Sequence, residues 1–421
     1  MAAITITEGA TWAIAALSTG GVIVRPWRWP EAIWAVLGAA SLVVFSLVPW
    51  RDALLAVEKG TDVYLFLTGM MLLAELARQE GVFEWLAAVA ANLAHRSAPR
   101  LFTLIYVVGA VVTAFMSNDA TAVVLTPAVA AVARTAKAED PLPYLLICAF
   151  IANAASFVLP ISNPANLVIY GSHMPPLLQW LPRFALPSLL AIAATYIVLR
   201  FTQRRALRRA VAAEVKIPAL SGCGRVAAGG IVTTALVLMT SSALGWQLGL
   251  PTCVAGLATT LSVVLCNGSK PWNILRNISW GVLPLVAGLF VLVEALDHTG
   301  VTGLLSDLLR AAAQWSASAT VWAHGIVVAF ACNIMNNLPA GLIAGTAVRA
   351  AQSPPLVADA GVIGVDLGPN LSVTGSLATI LWLAALRREG IHLSAGSFFK
   401  LGLLVMPPAL VLALAALFVR S

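Results

Sequence analysis

The 421-residue chain is 60% hydrophobic and only 10% charged, with a mean hydropathy of +0.91. A soluble domain typically carries about 25% charged residues, so this composition excludes a soluble globule and predicts a polytopic helical membrane protein. The formal net charge of +7 calls for no nucleic acid, because basic loops facing an anionic leaflet account for it.

In chain order, apolar segments at about 8–24, 31–48 and 61–77 are each long enough to cross a hydrocarbon core, which takes about 20 helical residues for roughly 30 Å. Residues 4–24 show no basic leader and run on as a full span, so no cleavable signal is expected. Val82 to Ala94 mixes Phe83, Trp85, Leu86, Val89 and Leu93 with Glu84 and Asn92, a pattern that predicts a short interfacial helix.

The stretch F-M-S-N-D-A-T-A-V-V-L-T-P, Phe115 to Pro127, sets Ser117, Asn118 and Asp119 side by side between two apolar flanks. A carboxylate at the bilayer centre costs about 2.5–3.5 kcal/mol on insertion scales. Non-helical backbone at that depth is tolerated only where protein or a water-filled cavity satisfies it. A re-entrant hairpin over 100–134, with its tip lining a cavity, is therefore expected, and Asp119 becomes an ion- or proton-carrying residue.

The next apolar segment, 143–172, is interrupted at Pro160-Ile161-Ser162-Asn163-Pro164-Ala165-Asn166. Two prolines remove backbone donors there and polar side chains can replace them, which predicts a broken helix. A further span, Phe184 to Phe201, ends in Arg200, Arg204, Arg205, Arg208 and Arg209. Polar residues 202–222 then divide the chain into a first repeat (1–210), a linker (211–224) and a second repeat (225–421).

The repeat is legible directly. Gly69-x5-Glu75-x5-Gly81-Val82 recurs as Gly288-x5-Glu294-x5-Gly300-Val301, and 288 − 69, 294 − 75 and 300 − 81 all give an offset of 219. At an offset of 218, Asn118-Asp119 falls on Asn336-Asn337, followed by Pro339. A second hairpin over 318–349 and a second broken helix over 360–388, containing G-P-N-L-S-V-T-G-S-L-A-T-I, complete the order. Two such halves predict clefts facing each other near the midplane.

Counting basic residues orients this topology. With five crossings and one re-entrant hairpin per half the halves are inverted, and the Arg200 to Arg209 cluster places the linker in the cytoplasm. The cytoplasmic side then receives Arg25, Arg28, Arg78, Arg96, Arg100, Arg134, Lys137, Arg200, Arg204, Arg205, Arg208, Arg209, Lys216, Arg225, Lys270, Arg276, Arg387, Arg388 and Lys400. The outside keeps Arg51, Lys59, Arg183, Arg310, Arg349 and Arg420. The expected fold class is thus all-α and polytopic: two inverted repeats, about ten transmembrane helices, two re-entrant hairpins and two broken helices, with fourteen spans as the alternative if each hairpin counts as two full crossings.

The runs A-F-M-S-N-D-A-T-A-V-V-L-T-P, I-S-N-P-A-N-L, M-N-N-L-P and G-V-D-L-G-P-N-L-S-V-T-G-S-L-A-T-I-L-W resemble the arsenite efflux permeases (ArsB) of the ion transporter superfamily. The resemblance spans about Gly60 to Leu383. It implies an inner-membrane transporter that exports arsenite and antimonite in exchange for protons, alone or with an ATPase subunit, and it allows a homodimer. This chain departs from the family pattern in one place: Asn153 stands in the first broken helix where an acid is common, while Asp366 keeps the corresponding acid of the second.

Arsenous acid is a small neutral trihydroxide near pH 7, so its site needs donors and acceptors rather than a fixed charge. Ser117, Asn118, Asn163, Asn166, Asn336, Asn337, Thr374 and Ser376 supply them, with Gly375 between the last two. Asp119 and Asp366 are the expected proton-coupling carboxylates, since desolvation favours the neutral form of a buried acid. Each polar residue also has a structural role open to it: Asp119 as a hairpin cap, Asn163 and Asn166 as partners of freed carbonyls, Glu75 and Glu294 as a symmetric packing pair. No cofactor, metal or catalytic residue is expected. The five cysteines show no paired spacing and read as buried small hydrophobes, with a thiophilic ligand as the alternative. Rival functions are a sodium/proton antiporter or dicarboxylate carrier of the same superfamily, a channel and, from another class, a membrane-embedded enzyme, for which no paired-acid, Ser/Lys or H-E-x-x-H motif is present.

Overall fold

The computed structural model describes residues 5–419 apart from 209–210, 212–216 and 269. Arg209, Lys216 and Arg420 of the charge count lie outside the described residues.

The described residues form two successions of ten α-helices. The first comprises α1 (Ile6–Val24), α2 (Glu31–Val44), α3 (Trp50–Lys59), α4 (Thr61–Gln79), α5 (Val82–Leu93), α6 (Ala98–Phe115), α7 (Thr126–Thr135), α8 (Leu142–Ala154), α9 (Pro164–Tyr170) and α10 (Leu177–Thr202). The second comprises α11 (Gly222–Ala243), α12 (Gly249–Asn267), α13 (Trp272–Leu275), α14 (Val282–His298), α15 (Val301–Trp315), α16 (Ala317–Met335), α17 (Asn337–Ala351), α18 (Pro355–Leu367), α19 (Leu377–Arg388) and α20 (Ala395–Ala416). Packing repeats with this order. Helix α4 lies on α12 as α14 lies on α2, α9 meets α17 as α19 meets α7, and α10 runs against its own counterpart α20.

The repeated glycine motif has a physical cause at each position. A Cβ on Gly69 would stand 2.2 Å from the Thr252 carbonyl of α12, and one on Gly288 would stand 2.8 Å from the Ala35 backbone of α2. Both are close helix crossings that only a residue without a side chain permits. Gly81 and Gly300 have φ of +73° and +80° and start α5 and α15 from the left-handed region, where glycine carries no steric penalty.

Among the described residues six helices are long and apolar enough to cross a membrane, and two bent pairs bring the number to as many as eight: α3 with α4 at 48° and α14 with α15 at 72°. The protein is a multi-pass membrane protein, with short apolar helices α2, α5 and α8 and the arm from Ala120 to Thr135 added to those spans.

Three sequence expectations change. The segment read as 31–48 is helical only over Glu31–Val44, and a separate α3 follows Pro49. Helix α5 is short, as expected, but buries Val82, Phe83, Ala87, Ala90 and Ala91 and packs on α6 and α7; its alanines are a protein-packing face rather than a lipid-facing one. Cys223 and Cys266 are not separate hydrophobes: they form a disulfide with Cα atoms 5.7 Å apart across 43 residues of sequence, whereas Cys148 and Cys332 are free and buried.

Candidate functional site

Each hairpin turns at a residue held at positive φ without being glycine. Ser117 has φ 143° and Asn336 has φ 75°, and each caps the arm that follows. Ser117 Oγ accepts from Ala120 N at 3.4 Å, and Asn336 Oδ1 accepts from Leu338 N at 3.4 Å. The tips therefore align at the same 219-residue offset as the glycine motif, with Ser117 on Asn336 and Asn118 on Asn337. This corrects the 218 register, which followed side-chain identity where the backbone follows the turn residue. Asp119 consequently has an apolar counterpart, Leu338. Beyond Asp119 the chain widens into a π-helical turn, Ala120–Leu125, whereas the second arm is α-helical from Asn337; such turns are rare and frequent at functional sites.

The two broken helices restart on matching caps. Asn163 (φ −149°, ψ 131°) and Ser376 (φ −144°, ψ 146°) are extended. Asn163 Oδ1 accepts from Ala165 N at 3.0 Å and Ser376 Oγ accepts from Ala378 N at 3.2 Å. The caps also sit near the opposite half. Asn163 Nδ2 donates to Asp366 Oδ1 of α18 at 2.5 Å. In the mirrored position Asn153 Nδ2 of α8 donates to Asn370 Oδ1 at 3.0 Å and to Thr379 Oγ1 at 3.4 Å, and Asn370 Nδ2 donates to the Phe150 carbonyl at 3.2 Å. One crossing therefore carries a carboxylate and the other only amides and a hydroxyl.

This layer is buried: Asn118, Asn153, Asn163, Asn166, Asn336, Asn337, Asp366, Asn370, Ser376 and Thr379 all have little exposure. Three of its oxygens, Asn118 Oδ1, Asn166 Oδ1 and Asp366 Oδ2, have no hydrogen-bond partner, an uncommon state for buried polar atoms. Other bonds of the sequence-selected residues are local. Asn166 Nδ2 donates to the Ser156 carbonyl at 2.9 Å across its own break. Thr374 Oγ1 donates to the Asn333 carbonyl at 3.0 Å. A side chain on Gly375 would meet Pro369 Cα at 2.6 Å. Asn370, Thr379 and Asn333 were not singled out in the sequence; Asn370 lies in the G-P-N-L-S run, and its position beside Pro369 in a broken helix is the signal that could have found it.

Two cavities approach the layer from opposite ends of α4 and α14. The larger, about 560 Å³, runs from Glu75, Arg78, Arg388 and Glu389 down to Ser117, Asp119, Pro164 and Leu377, with Val282 of α14 in its wall. The other, about 450 Å³, holds Lys59, Glu294, Asp297 and Arg349 and reaches only Leu167, Val168 and Leu342. Asp62 near the start of α4 lines the second cavity, and Arg78 near its end lines the first; on α14, Val282 and Asp297 do the reverse. The equivalent helices α4 and α14 thus run in opposite directions between the same two cavities. Glu75 accepts from Arg78 Nε at 2.7 Å and Nη2 at 2.6 Å, and Glu294 accepts from Lys59 Nζ at 2.7 Å, so both repeated glutamates are ion-paired in the cavity walls. Among the described residues no cluster of His, Cys, Asp and Glu is placed to hold a metal ion.

Comparison with known proteins places this architecture. Residues 14–369 match a family model described as citrate transporter (CitMHS). The chain is similar to the arsenical pump membrane protein of Yersinia enterocolitica, at 29% identity over 415 residues and 93% of each chain. It is also similar to the arsenical pump membrane protein of Escherichia coli K12, at 28% identity and 92% of each chain. Among solved structures it shares a fold with the YdaH transporter of Alcanivorax borkumensis, described as having an unusual topology, with a TM-score of 0.58, 15% identity, and 88% and 87% of the two chains covered.

Proposed function

We propose that this chain, which belongs to the citrate transporter (CitMHS) family, exports arsenite, and antimonite with it, in exchange for protons. The observation that carries the reading is the crossing of Asn163 with Asp366, in a buried layer whose other members are amides and hydroxyls. A neutral trihydroxide can be held by such groups, and the unpartnered oxygens of Asn118, Asn166 and Asp366 are acceptors for its hydroxyls. A tricarboxylate needs cations at the same depth. The cations lining the larger cavity are Arg78 and Arg388, and Arg78 is already engaged by Glu75.

Asp366 is the coupling carboxylate in this reading, with Asp119 at the cavity floor as the residue that exchanges its proton with solvent. Inward movement of one proton yields about 2.3 kcal/mol per 100 mV, which drives a neutral substrate outward. Helix termini at both breaks and tips add backbone donors and acceptors around the same site. The larger cavity faces the cytoplasm of a cell with this chain in its inner membrane, because Arg78, Arg134, Arg387 and Arg388 gather at that end and basic residues favour the cytoplasmic side. Two cavities that approach one buried layer from opposite ends support alternating access, with hairpins and broken helices moving against the remaining spans as scaffold. Crosslinks locking hairpin to scaffold while leaving transport intact would sink that part.

The test is uptake into everted membrane vesicles under an imposed proton gradient, with arsenite and citrate supplied separately. Gradient-dependent arsenite uptake that excess citrate and sodium leave unchanged is the expected result. Citrate uptake, or uptake driven by sodium alone, would move the chain to another branch of the superfamily.

A further inference from the structure

We infer that Cys223 and Cys266, once reduced, form a dithiol site that chelates trivalent arsenic beside the mouth of the larger cavity; this rests on the arsenite reading above. The two thiols come from the first turn of α11 and the last turn of α12, with Cα atoms 5.7 Å apart. Their proximity does not depend on the sulfur–sulfur bond. Glu80, just past the end of α4, accepts from Asn267 Nδ2 at 2.5 Å and from Ser221 Oγ at 3.3 Å. Those residues lie next to Cys266 and two before Cys223. Ser221 Oγ also caps α11 by accepting from Gly224 N at 2.8 Å, and Gly224 is seated so closely on the Glu80 carbonyl that a Cβ there would stand 3.0 Å from it. Three helix ends are held together by these bonds, so reduction leaves the thiols facing each other.

The place of the pair matters. Helix α4 carries Glu75 and Arg78 into the cavity that descends to Ser117 and Asp119, and Glu80 clamps the cysteines immediately beyond them. Gln79 Nε2 donates to the Asn273 carbonyl at 3.3 Å, one turn before the cavity-lining Asn277. On the orientation proposed above this is the cytoplasmic end, where cellular dithiols keep protein thiols reduced. Cys266 is exposed and Cys223 is 8% exposed, so the pair is approached from the Cys266 side.

Thiolate sulfur is a soft ligand, and trivalent arsenic exchanges its hydroxyls for sulfur without change of oxidation state. Arsenous acid and the two thiols give a dithioarsenite that keeps one hydroxyl. Two As–O bonds break, two As–S bonds form, and each thiol proton leaves with a hydroxyl as water. A cytosolic dithiol reductant supplies the two electrons that open the disulfide beforehand. The step reverses with water or a competing thiol, so the site collects substrate at the cavity mouth rather than trapping it.

The experiment uses the full chain, purified, reduced with a phosphine, freed of reductant and exposed to arsenite alone, with unprotected thiols counted by maleimide mass tagging. Arsenite is expected to protect two thiols in the wild type and none in Cys223→Ser, in Cys266→Ser or in the reoxidised wild type; Cys148, Cys253 and Cys332 form the common background. Equal protection in wild type and variants, no protection in the reduced wild type, or a pair still oxidised when thiols are trapped in growing cells, would overturn the site. Arsenite uptake in everted vesicles is scored separately, so failure to transport with protection intact would overturn the transport reading and leave the site standing.

Discussion

Asn163 joins the two halves of the molecule at Asp366: its amide nitrogen donates to Asp366 Oδ1 at 2.5 Å while its amide oxygen caps α9 through Ala165 N at 3.0 Å. One side chain thereby couples the start of a broken helix in the first half to a buried carboxylate in the second. The same side chain therefore links Asp366 to the backbone that bounds the cavity floor at Pro164.

Replacing Asn163 separates its two roles. Asn163→Ala loses the cap, about 1 kcal/mol, and leaves a buried carboxylate without its donor, about 1–3 kcal/mol. Asn163→Ser keeps the cap in the form that Ser376 already uses. Thermal unfolding in detergent is expected to fall clearly for the alanine variant and slightly for the serine variant, with transport reduced in both. Equal unfolding temperatures for the two would mean that the cap contributes little.

Asn153→Asp places an acid at the position equivalent to Asp366. Asn153 is the donor to Asn370 Oδ1 at 3.0 Å, so a carboxyl there keeps this bond only in its protonated form. The variant adds a second proton-binding group to the layer, and arsenite uptake is expected to depend more steeply on the imposed pH difference than in the wild type. Parallel profiles would show that this position does not take part in coupling.

Gly69→Ala and Gly288→Ala probe the two equivalent crossings. The added methyl meets backbone at 2.2 Å in the first and at 2.8 Å in the second, and backbone cannot rotate away. Overpacking of this kind typically costs about 1–3 kcal/mol, so both variants are expected to unfold at lower temperature, Gly69→Ala more so. Wild-type stability for Gly69→Ala would contradict the close contact of α4 with α12.

Buried Asp359 accepts from Tyr170 Oη at 2.5 Å and from Arg183 Nη1 at 3.5 Å. Removing Arg183 strands a buried carboxylate, which costs roughly 3–5 kcal/mol in a fully buried pair; the Arg183 side chain is 32% exposed and the contact is long, so Arg183→Leu is expected to cost about 1–3 kcal/mol. An unfolding temperature equal to wild type would show that Tyr170 alone satisfies Asp359.

Much of this was legible in the sequence because membrane burial is severe on polar groups. Prolines and amides inside apolar runs located both breaks, and the Gly69 and Gly288 motif exposed the repeat. What escaped reading was set by tertiary partners. The register of the hairpin tips followed the turn residues Ser117 and Asn336 rather than the more conspicuous Asn-Asp and Asn-Asn pairs. Asn370 and Thr379 became visible only once α8 met the opposite break. The pairing of Cys223 with Cys266 depended on α11 and α12 being antiparallel neighbours, and α5 changed from surface to packed helix because α6 and α7 cover its alanines.

The most direct measurement is proton-gradient-driven arsenite accumulation in everted vesicles set beside arsenite counterflow at equal pH, for wild type and Asp366→Asn. An asparagine at 366 keeps the polar layer but carries no exchangeable charge, so the account predicts that accumulation is lost while counterflow continues. Full accumulation in Asp366→Asn would contradict it, as would loss of both activities in a protein that still folds.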